Sequence, residues 1–290
     1  MKQHQFGGSW TRQKLEVLRK YLNAYMTIFT KNKRASFFHT VYVDAFAGTG
    51  YRTLADPSEA PLLAEITEED NQNFLKGSAR IALELEKPFA EYLFIEKQND
   101  RVAELEHLRK EFPNRRIQIK QGDANNILQE WIQNTNWDRT RAVVFLDPYG
   151  MQVEWSLIEA IAKTRAIDLW LLFPLGIGVN RLLTKNAPPP KQWEQKLTRF
   201  FGTDEWRNRF YQCQTTMFGD KVEQKNANFA SIQNFFIERL QTIFAAVAPK
   251  PLVLTNSHNN PLYLLCFAAG NPKGAKTALR IANHILSHPS

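Results

Sequence analysis

The sequence has few cysteines, and their positions predict neither a disulfide framework nor a metal site. Cys213 and Cys266 are its two cysteines, they lie far apart, and its six histidines include no pair at metal-ligand spacing. A small secreted domain held by disulfides would carry more cysteines at closer spacing. We therefore expect both thiols to be reduced and structural, as is usual in the cytosol, and we expect no metal.

Long hydrophobic runs are also missing. No apolar run reaches the length that crosses a membrane, and residues 1–5, Met-Lys-Gln-His-Gln, lead into no apolar segment of the kind found in signal peptides. Hydrophobic residues still make up 43% of the chain, which is enough for a large core and argues against disorder. The composition predicts a cytoplasmic protein with one domain over residues 1–290 and no membrane segment.

Acidic residues are scarce in the last part of the chain. Residues 181–290 contain 14 Lys and Arg but 6 Asp and Glu, so this part carries the whole formal net charge of +8. Such an excess predicts an anionic partner for the C-terminal part, with nucleic acid as the first candidate. A solvated basic surface without a partner would produce the same composition.

The most informative stretch is an apolar run that leads into an acid and a glycine-rich turn, V-Y-V-D-A-F-A-G-T-G at residues 41–50. It predicts a buried central strand with Asp44 at its carboxyl end, where open α/β sheets bind their ligands. Gly48 and Gly50 let the backbone approach a ligand closely. The pattern resembles the first motif of class I S-adenosylmethionine (SAM)-dependent methyltransferases. A nicotinamide-binding fingerprint would need glycine where Thr53 stands.

The next two predicted strands are also followed by acids. Residues 92–96 predict a strand that ends in Glu96, whose carboxylate would accept hydrogen bonds from both hydroxyls of a ribose. Residues 116–120 predict a strand followed by Asp123 and Ala124, and Asp123 would accept a hydrogen bond from an exocyclic amine such as that of adenine. An ordinary strand-end carboxylate and an ordinary turn residue are the alternatives for these two acids.

The fourth predicted strand, over 142–146, ends in Asp147-Pro148-Tyr149-Gly150. This block resembles the (Asp/Asn/Ser)-Pro-Pro-(Tyr/Phe/Trp) motif of methyltransferases that act on exocyclic or amide nitrogens, with one proline instead of two. Asp147 and the main-chain carbonyl of Pro148 would accept the protons of a planar amine, and Tyr149 would stack on the ring that carries it. A turn without a chemical role is the alternative.

Strands and helices alternate along the first part of the chain, which predicts an α/β fold with a doubly wound, mostly parallel, seven-stranded Rossmann-like sheet. The last two strands, over 251–256 and 262–268, predict a hairpin that ends in a reversed strand, a feature of class I methyltransferases. Apolar residues recur at spacings of three and four over 11–30, so we expect an amphipathic helix there that packs its apolar stripe at the sheet edge. Residues 51–75 predict an inserted loop, either a lid beside the ligand or a decoration.

Residues 182–248 predict a basic helical subdomain inserted before the last two strands. Helical patterns cover 191–201, 204–212 and 228–247, and the first two interleave aromatic residues with Lys and Arg. Such an arrangement can stack on bases while its cations contact phosphates. An amphipathic subdomain with a basic exposed face is the alternative. The aromatic residues in question are Trp193, Phe200, Phe201, Trp206, Phe210 and Tyr211.

Together these blocks resemble the three-Cys-motif partner proteins, a bacterial and prophage-associated family. The resemblance runs almost end to end and is carried by Y-V-D-A-F-A-G-T-G (42–50), G-D-A-N (122–125), F-L-D-P-Y-G-M-Q (145–152), L-F-P-L-G (172–176) and the segment 264–274. It implies a partner that carries three cysteines, an iron–sulfur, radical-SAM-like protein. It specifies no reaction.

The sequence therefore predicts a SAM-dependent methyltransferase that acts on an amino nitrogen, first that of a nucleobase in nucleic acid. The main alternative is a non-catalytic scaffold or binding subunit that keeps the SAM fold, and the single proline after Asp147 favours it. An NAD enzyme is a third reading. The predicted site comprises Asp44, Phe46, Gly48 and Gly50 around the methionine part of SAM, Glu96 at the ribose, Asp123 and Ala124 at the adenine, and Asp147, Pro148 and Tyr149 at the acceptor.

Overall fold

A computed structural model describes residues 9–47, 77–215 and 221–289. The helices are α1 (Ser9–Lys31), α2 (Ser78–Leu83), α3 (Asn99–Glu111), α4 (Ala124–Asn134), α5 (Trp155–Lys163), α6 (Asn180–Leu182), α7 (Lys191–Phe201), α8 (Glu205–Phe210), α9 (Phe229–Gln241) and α10 (Ala275–Ser287). The strands are β1 (His39–Asp44), β2 (Glu91–Glu96), β3 (Ile117–Gln121), β4 (Thr140–Leu146), β5 (Ile167–Phe173), β6 (Tyr211–Thr215), β7 (Lys221–Lys225), β8 (Ala246–Val247), β9 (Leu252–Thr255) and β10 (Pro261–Ala269). One turn of π-helix, Leu175–Val179, follows β5.

In the part of the chain that the structure describes, eight strands form the main sheet in the order β3-β2-β1-β4-β5-β10-β8, and β9 also pairs with β10. Strands β1 to β5 are parallel to their neighbours, whereas β10 runs antiparallel to β5. The chain starts in the middle of the sheet and winds outward in both directions, so the carboxyl ends of β1 to β5 lie along one edge.

This sheet confirms the predicted α/β fold class with a doubly wound, mostly parallel sheet, including the reversed strand near the end of the chain. The predicted number of seven strands is wrong. β10 is long enough to pair with two short strands on its outer side, β9 near its start and β8 near its end. The sequence predicts a helix over 228–247, but α9 stops at Gln241. The last two residues of the predicted helix form the short strand β8 instead.

The inner parallel strands β1, β2, β4 and β5 are mostly apolar because helices cover both faces of the sheet. β5 is buried at every position, and alternate residues of β4 join different cores. Val144 packs in a core with residues of α4, α5, α7 and α9, whereas Val143 packs in a core with residues of α1, α2, α3 and α10. Burial on both faces explains the continuous apolar runs from which these strands were predicted.

Helix α1 lies across one face of the sheet and not at its edge, so that prediction is wrong. The ring of Tyr21 packs against Trp170 of β5 and Phe267 of β10, with centroids 5.1 and 5.0 Å apart. Its hydroxyl donates a hydrogen bond to Asp168 at the start of β5, with an O–O distance of 2.7 Å. A helix of 23 residues is about 35 Å long, enough to cross the sheet and bring its first turns to the carboxyl edge of the strands.

The predicted insertion over 182–248 contains a hairpin as well as helices. The helix predicted over 204–212 ends at Phe210, because Tyr211 begins β6, which pairs antiparallel with β7. Farther back in the chain, Ser78 stands at the start of α2. It is the first helical residue, and Gly77 stands at the N-cap without a side-chain hydrogen bond.

Candidate functional site

Three buried acids lie at the carboxyl edge of the sheet. Asp44 ends β1, Glu96 ends β2 and Asp147 follows β4, and their exposed fractions are 0%, 4% and 3%. Asp44 is in register with Phe94 of β2 and Phe145 of β4, so it lies between the other two acids. Burying a carboxylate is costly unless donors or cations compensate for the lost water. The environments of these three groups therefore define the candidate site.

Glu96 has one satisfied carboxylate oxygen and one that makes no hydrogen bond. Its Oε1 accepts from the backbone N–H groups of Lys97 and Gln98, at 2.6 and 2.7 Å. Its Oε2 is buried and has no hydrogen-bond partner among the described residues. Burial raises the pKa of Glu96, and the two backbone donors oppose this. An unpaired buried oxygen carries a desolvation cost, which a ligand hydroxyl would relieve.

The end of β3 lies beside Glu96. The N–H of Gly122 donates to the main-chain oxygen of Glu96 at 2.9 Å, and its φ of +147° is a conformation that residues with a side chain rarely adopt. Asp123 is exposed and is the N-cap of α4, where its Oδ1 accepts from the N–H of Asn126 at 3.2 Å. The capping role is thus present, and the adenine contact of Asp123 and the buried Ala124 remains a prediction.

Asp44 is the most deeply buried acid of the site. The hydroxyl of Tyr42 approaches its Oδ2 at 3.5 Å, and its Oδ1 has no hydrogen-bond partner among the described residues. Burial raises the pKa of Asp44 to about 7. A hydrogen bond from the Ser78 side chain lowers this pKa. The nearby Asp147 carboxylate acts with burial and raises it. The pKa of Asp44 therefore lies near neutral pH, so an approaching cation would ionise this carboxyl group.

Lys14 is a residue of the candidate site that the sequence did not predict. It lies on α1 with 0% of its side chain exposed, and its Nζ is 2.7 Å from Oδ2 of Asp147. Burial lowers the pKa of Lys14, while Asp147 and, less strongly, Asp44 raise it. Burial raises the pKa of Asp147, and Lys14 lowers it. A lysine on the apolar face of a predicted amphipathic helix was the available signal.

The loop after β4 is braced by its neighbours. The side chain of Asn125 on α4 donates to the main-chain oxygen of Gln152 at 2.9 Å and accepts from the N–H of Glu154 at 3.0 Å. The loop also packs closely on the π-helical turn after β5, since a Cβ on Gly178 would lie 3.2 Å from Cγ of Met151. These contacts fix the position of the segment that begins with Asp147.

The predicted site residues are not all placed by the structure. Asp44, Glu96 and Asp147 meet at one edge, Pro148 is buried and Tyr149 is half-buried. Phe46 is buried in the core. Gly48, Gly50 and the predicted inserted loop over 51–75 lie outside the described residues. Within the described ranges, no cluster of three or more His, Cys, Asp or Glu could hold a metal ion, and no helix is both long and apolar enough to cross a membrane.

Most aromatic residues of the 182–248 segment belong to the core, so they are not available to stack on bases. Of the six, Trp193 alone is partly exposed. The ring of Phe236 on α9 lies 4.2 Å from that of Phe173 at the end of β5, which joins this segment to the main core. The buried ones are Phe200, Phe201, Trp206, Phe210 and Tyr211. The amphipathic alternative is therefore the one that the structure supports.

Arginines of the same segment form ion pairs within it. Arg207 lies 3.0 Å from Glu194 and 3.2 Å from Glu223, and Arg209 lies 2.8 Å from Glu238. Exposed pairs of this kind add little stability, but they hold these two arginines in place on the surface. The formal net charge already counts the paired glutamates, so the pairs leave the net charge of this part of the chain unchanged.

No protein-family model matches the chain, and no curated protein matches it. Among solved structures, a Legionella pneumophila protein of the DUF519 family model is 12% identical with a TM-score of 0.47, over 97% of this chain and 92% of that one. A SAM-dependent methyltransferase from Clostridium acetobutylicum is 9% identical with a TM-score of 0.36, over 87% and 91%. The SAH-bound N-terminal domain of EvdMO1 is 8% identical with a TM-score of 0.35, over 87% and 80%. Likeness at this level carries no conclusion about function.

Proposed function

We propose that the protein is a SAM-dependent methyltransferase that acts on an amino nitrogen, first that of a nucleobase in nucleic acid. The observation that carries this proposal is Glu96. Its Oε2 is buried without a hydrogen-bond partner among the described residues, at the carboxyl end of the second strand of a doubly wound sheet. This is the position at which such folds bind the ribose of a nucleoside cofactor.

The described residues fit the rest of the cofactor. Oε2 of Glu96 would accept from a ribose hydroxyl, and Asp44, with its unpaired Oδ1, would face the positively charged methionine part. Asp123 and Ala124, beside Glu96, would border the adenine. The cofactor supplies an activated methyl group on sulfur, so the protein's task is to position the acceptor and exclude water.

The acceptor would meet the segment that follows β4. Asp147 and the main-chain carbonyl of Pro148 would accept the two N–H groups of a planar amine, and Tyr149 would stack on the ring. The excess of basic residues in the last part of the chain supports nucleic acid as the source of that amine. The resemblance to three-Cys-motif partner proteins supports a second, iron–sulfur protein as its partner, with both acting in the cytoplasm.

A non-catalytic SAM-binding scaffold is the second candidate. It is favoured by the single proline in the segment and by the ion pair in which Lys14 already occupies Oδ2 of Asp147. A scaffold would bind the cofactor with the same residues but would transfer no methyl group. The two candidates therefore agree on Glu96 and differ on Asp147.

Calorimetric titration of the purified protein with SAM, S-adenosylhomocysteine and NAD tests the cofactor. We expect the first two to bind and NAD not to bind. Glu96→Ala should weaken SAM binding about 10- to 100-fold, because it removes a charged hydrogen-bond acceptor. Glu130→Ala, a change at an exposed position of α4, should leave binding unchanged. Binding of NAD in place of SAM, or equal binding by Glu96→Ala, would contradict the assignment.

Methyl transfer from labelled SAM to DNA and RNA, with and without the partner protein, then tests the reaction. Asp147→Ala should lower the transfer rate at least about 100-fold while SAM still binds. Asp138→Ala is the matched control, since Asp138 is exposed. Unchanged transfer by Asp147→Ala would remove Asp147 from the catalytic site. No transfer by the unaltered protein under any of these conditions, together with SAM binding, would favour the scaffold.

A further inference from the structure

We propose that Lys14 is a positioning residue of this site: its ammonium group holds Asp147 by one carboxylate oxygen and leaves the other oxygen to receive the acceptor amine. This inference rests on the proposed methyltransferase function. It adds to the site a residue of α1, which stands before the first strand and outside the predicted cofactor and acceptor motifs.

The geometry around Lys14 fixes its ammonium group in one place. Its Nζ lies 2.7 Å from Oδ2 of Asp147 and 5.2 Å from the ring centroid of Trp10. The Trp10 ring in turn lies 5.4 Å from that of Tyr263 on β10. The lysine therefore has an aromatic neighbour as well as the carboxylate. No hydrogen bond to Oδ1 of Asp147 is found among the described residues.

A buried lysine at this position needs an explanation beyond packing. Moving both charges of an ion pair out of water costs more than their attraction often returns, and an apolar pair of similar volume would usually serve stability as well. Lys14 lies on the helix face that otherwise carries buried residues such as Val17, Leu18 and Tyr21. Thr11, one turn earlier on this face, is also buried, and its Oγ1 makes no hydrogen bond to a described residue. The first turns of α1 therefore carry two buried polar side chains, of which Lys14 lies at the candidate site.

The charges around Asp147 explain what Lys14 would do. The titratable groups that face it are Lys14 from α1 and Tyr42 and Asp44 from β1. Burial favours a protonated Asp147, and Lys14 is the one cation of this described group. A protonated Asp147 could not accept a proton. Lys14 therefore keeps the carboxylate ionised as well as fixed.

The reaction requires this ionised oxygen at a defined step. A bound cofactor would supply the methyl group: the bond from the acceptor nitrogen to the methyl carbon would form as the carbon–sulfur bond breaks, with that electron pair left on sulfur. The nitrogen would then be positively charged and would give up one proton, which Oδ1 of Asp147 would receive. Lys14 touches neither the nitrogen nor the methyl group in this arrangement, so it acts through Asp147.

The pH dependence of single-turnover transfer to the DNA or RNA that accepts the label separates this role from a purely structural one. Lys14→Met should slow transfer about 100-fold near neutral pH and regain rate as pH rises, because Asp147 then loses its proton. Lys14→Arg, which keeps the charge, should restore the unaltered profile at a lower rate. Lys20→Met, on a more exposed position of the same helix, is the matched control. Identical profiles for Lys14→Met and the unaltered protein would overturn the proposal.

A second measurement needs no methyl acceptor, so it also applies if the protein binds SAM without transferring a methyl group. Calorimetry with SAM in two buffers of different ionisation enthalpy counts the protons released on binding. Lys14→Met should release up to about one proton more than the unaltered protein, since the cation ionises a protonated Asp147. The double variant Lys14→Met/Asp147→Asn, which keeps the buried site uncharged and so protects folding, should lose this extra release. No extra proton in Lys14→Met overturns the inference, whereas failure of the unaltered protein to bind SAM overturns the proposed function.

Discussion

At the scale of single residues, Asp168 shows how a buried acid away from the site controls stability. It lies at the start of β5, at the opposite end of the strand from the site, and accepts from the Tyr21 hydroxyl at 2.7 Å. Burial raises its pKa from 3.8 to about 6, against the effect of that hydrogen bond. The folded chain therefore holds this proton more tightly than the unfolded chain. The stability linked to it is complete below the unfolded pKa and is lost as pH rises through the folded pKa.

Asp168→Asn should remove this pH dependence. The amide oxygen can still accept from Tyr21, but no proton is lost between about pH 4 and about pH 7. Over that range we expect the free energy of unfolding of the variant to fall by about 2 kcal/mol less than that of the unaltered protein. Denaturant unfolding at several pH values measures this, with Asp138→Asn at an exposed position as the control. Parallel curves for Asp168→Asn and the unaltered protein would contradict the assignment.

At the same scale, the sequence predicts the three acids of the candidate site but not the lysine beside them. Asp44, Glu96 and Asp147 could be placed together because each follows a predicted parallel strand, and parallel strands bring their carboxyl ends to one edge. Lys14 could not, because it is 133 positions from Asp147 and no local pattern joins them. Which oxygens are satisfied, as in Glu96, depends on backbone geometry that composition and spacing do not contain.

At the scale of elements, the spacing of apolar residues predicts which face of a helix is apolar but not what that face packs against. α1 has the predicted amphipathic stripe, yet only the fold shows that the stripe covers the middle of the sheet. The aromatic residues of α7 and α8 read equally well as a base-stacking surface or as a core. They form a core because the end of β5, at Phe173, is covered by this segment. The β6–β7 hairpin was missed because Tyr211 and Gln212 continue the predicted helix over 204–212, and the rest of β6 is exposed, so no buried apolar run marks a strand there.

At the scale of the whole molecule, the basic residues of the last part of the chain are divided between the two ends of the sheet. The ammonium group of Lys225 donates to the side-chain oxygen of Asn180 at 2.7 Å, beside the turn after β5. The backbone N–H of Lys225 donates to the main-chain oxygen of Lys185 at 3.0 Å. Lys185 is therefore at the carboxyl edge, with the site. Lys273 follows β10, whose last residue, Ala269, is in register with the start of β5, so it is at the other end.

This division predicts which lysines act on a nucleic-acid acceptor. If nucleic acid binds at the carboxyl edge, Lys185→Ala should weaken its binding and reduce the slope of log affinity against log salt by about 0.7 to 0.9, one phosphate contact. Lys273→Ala removes the same charge from the exposed surface at the other end and should change the slope less. Fluorescence anisotropy with a labelled oligonucleotide at several salt concentrations measures both. Equal effects of the two variants would mean that the positive charge attracts nucleic acid without a defined contact at the carboxyl edge. Binding that does not depend on salt at all would argue against a nucleic-acid acceptor.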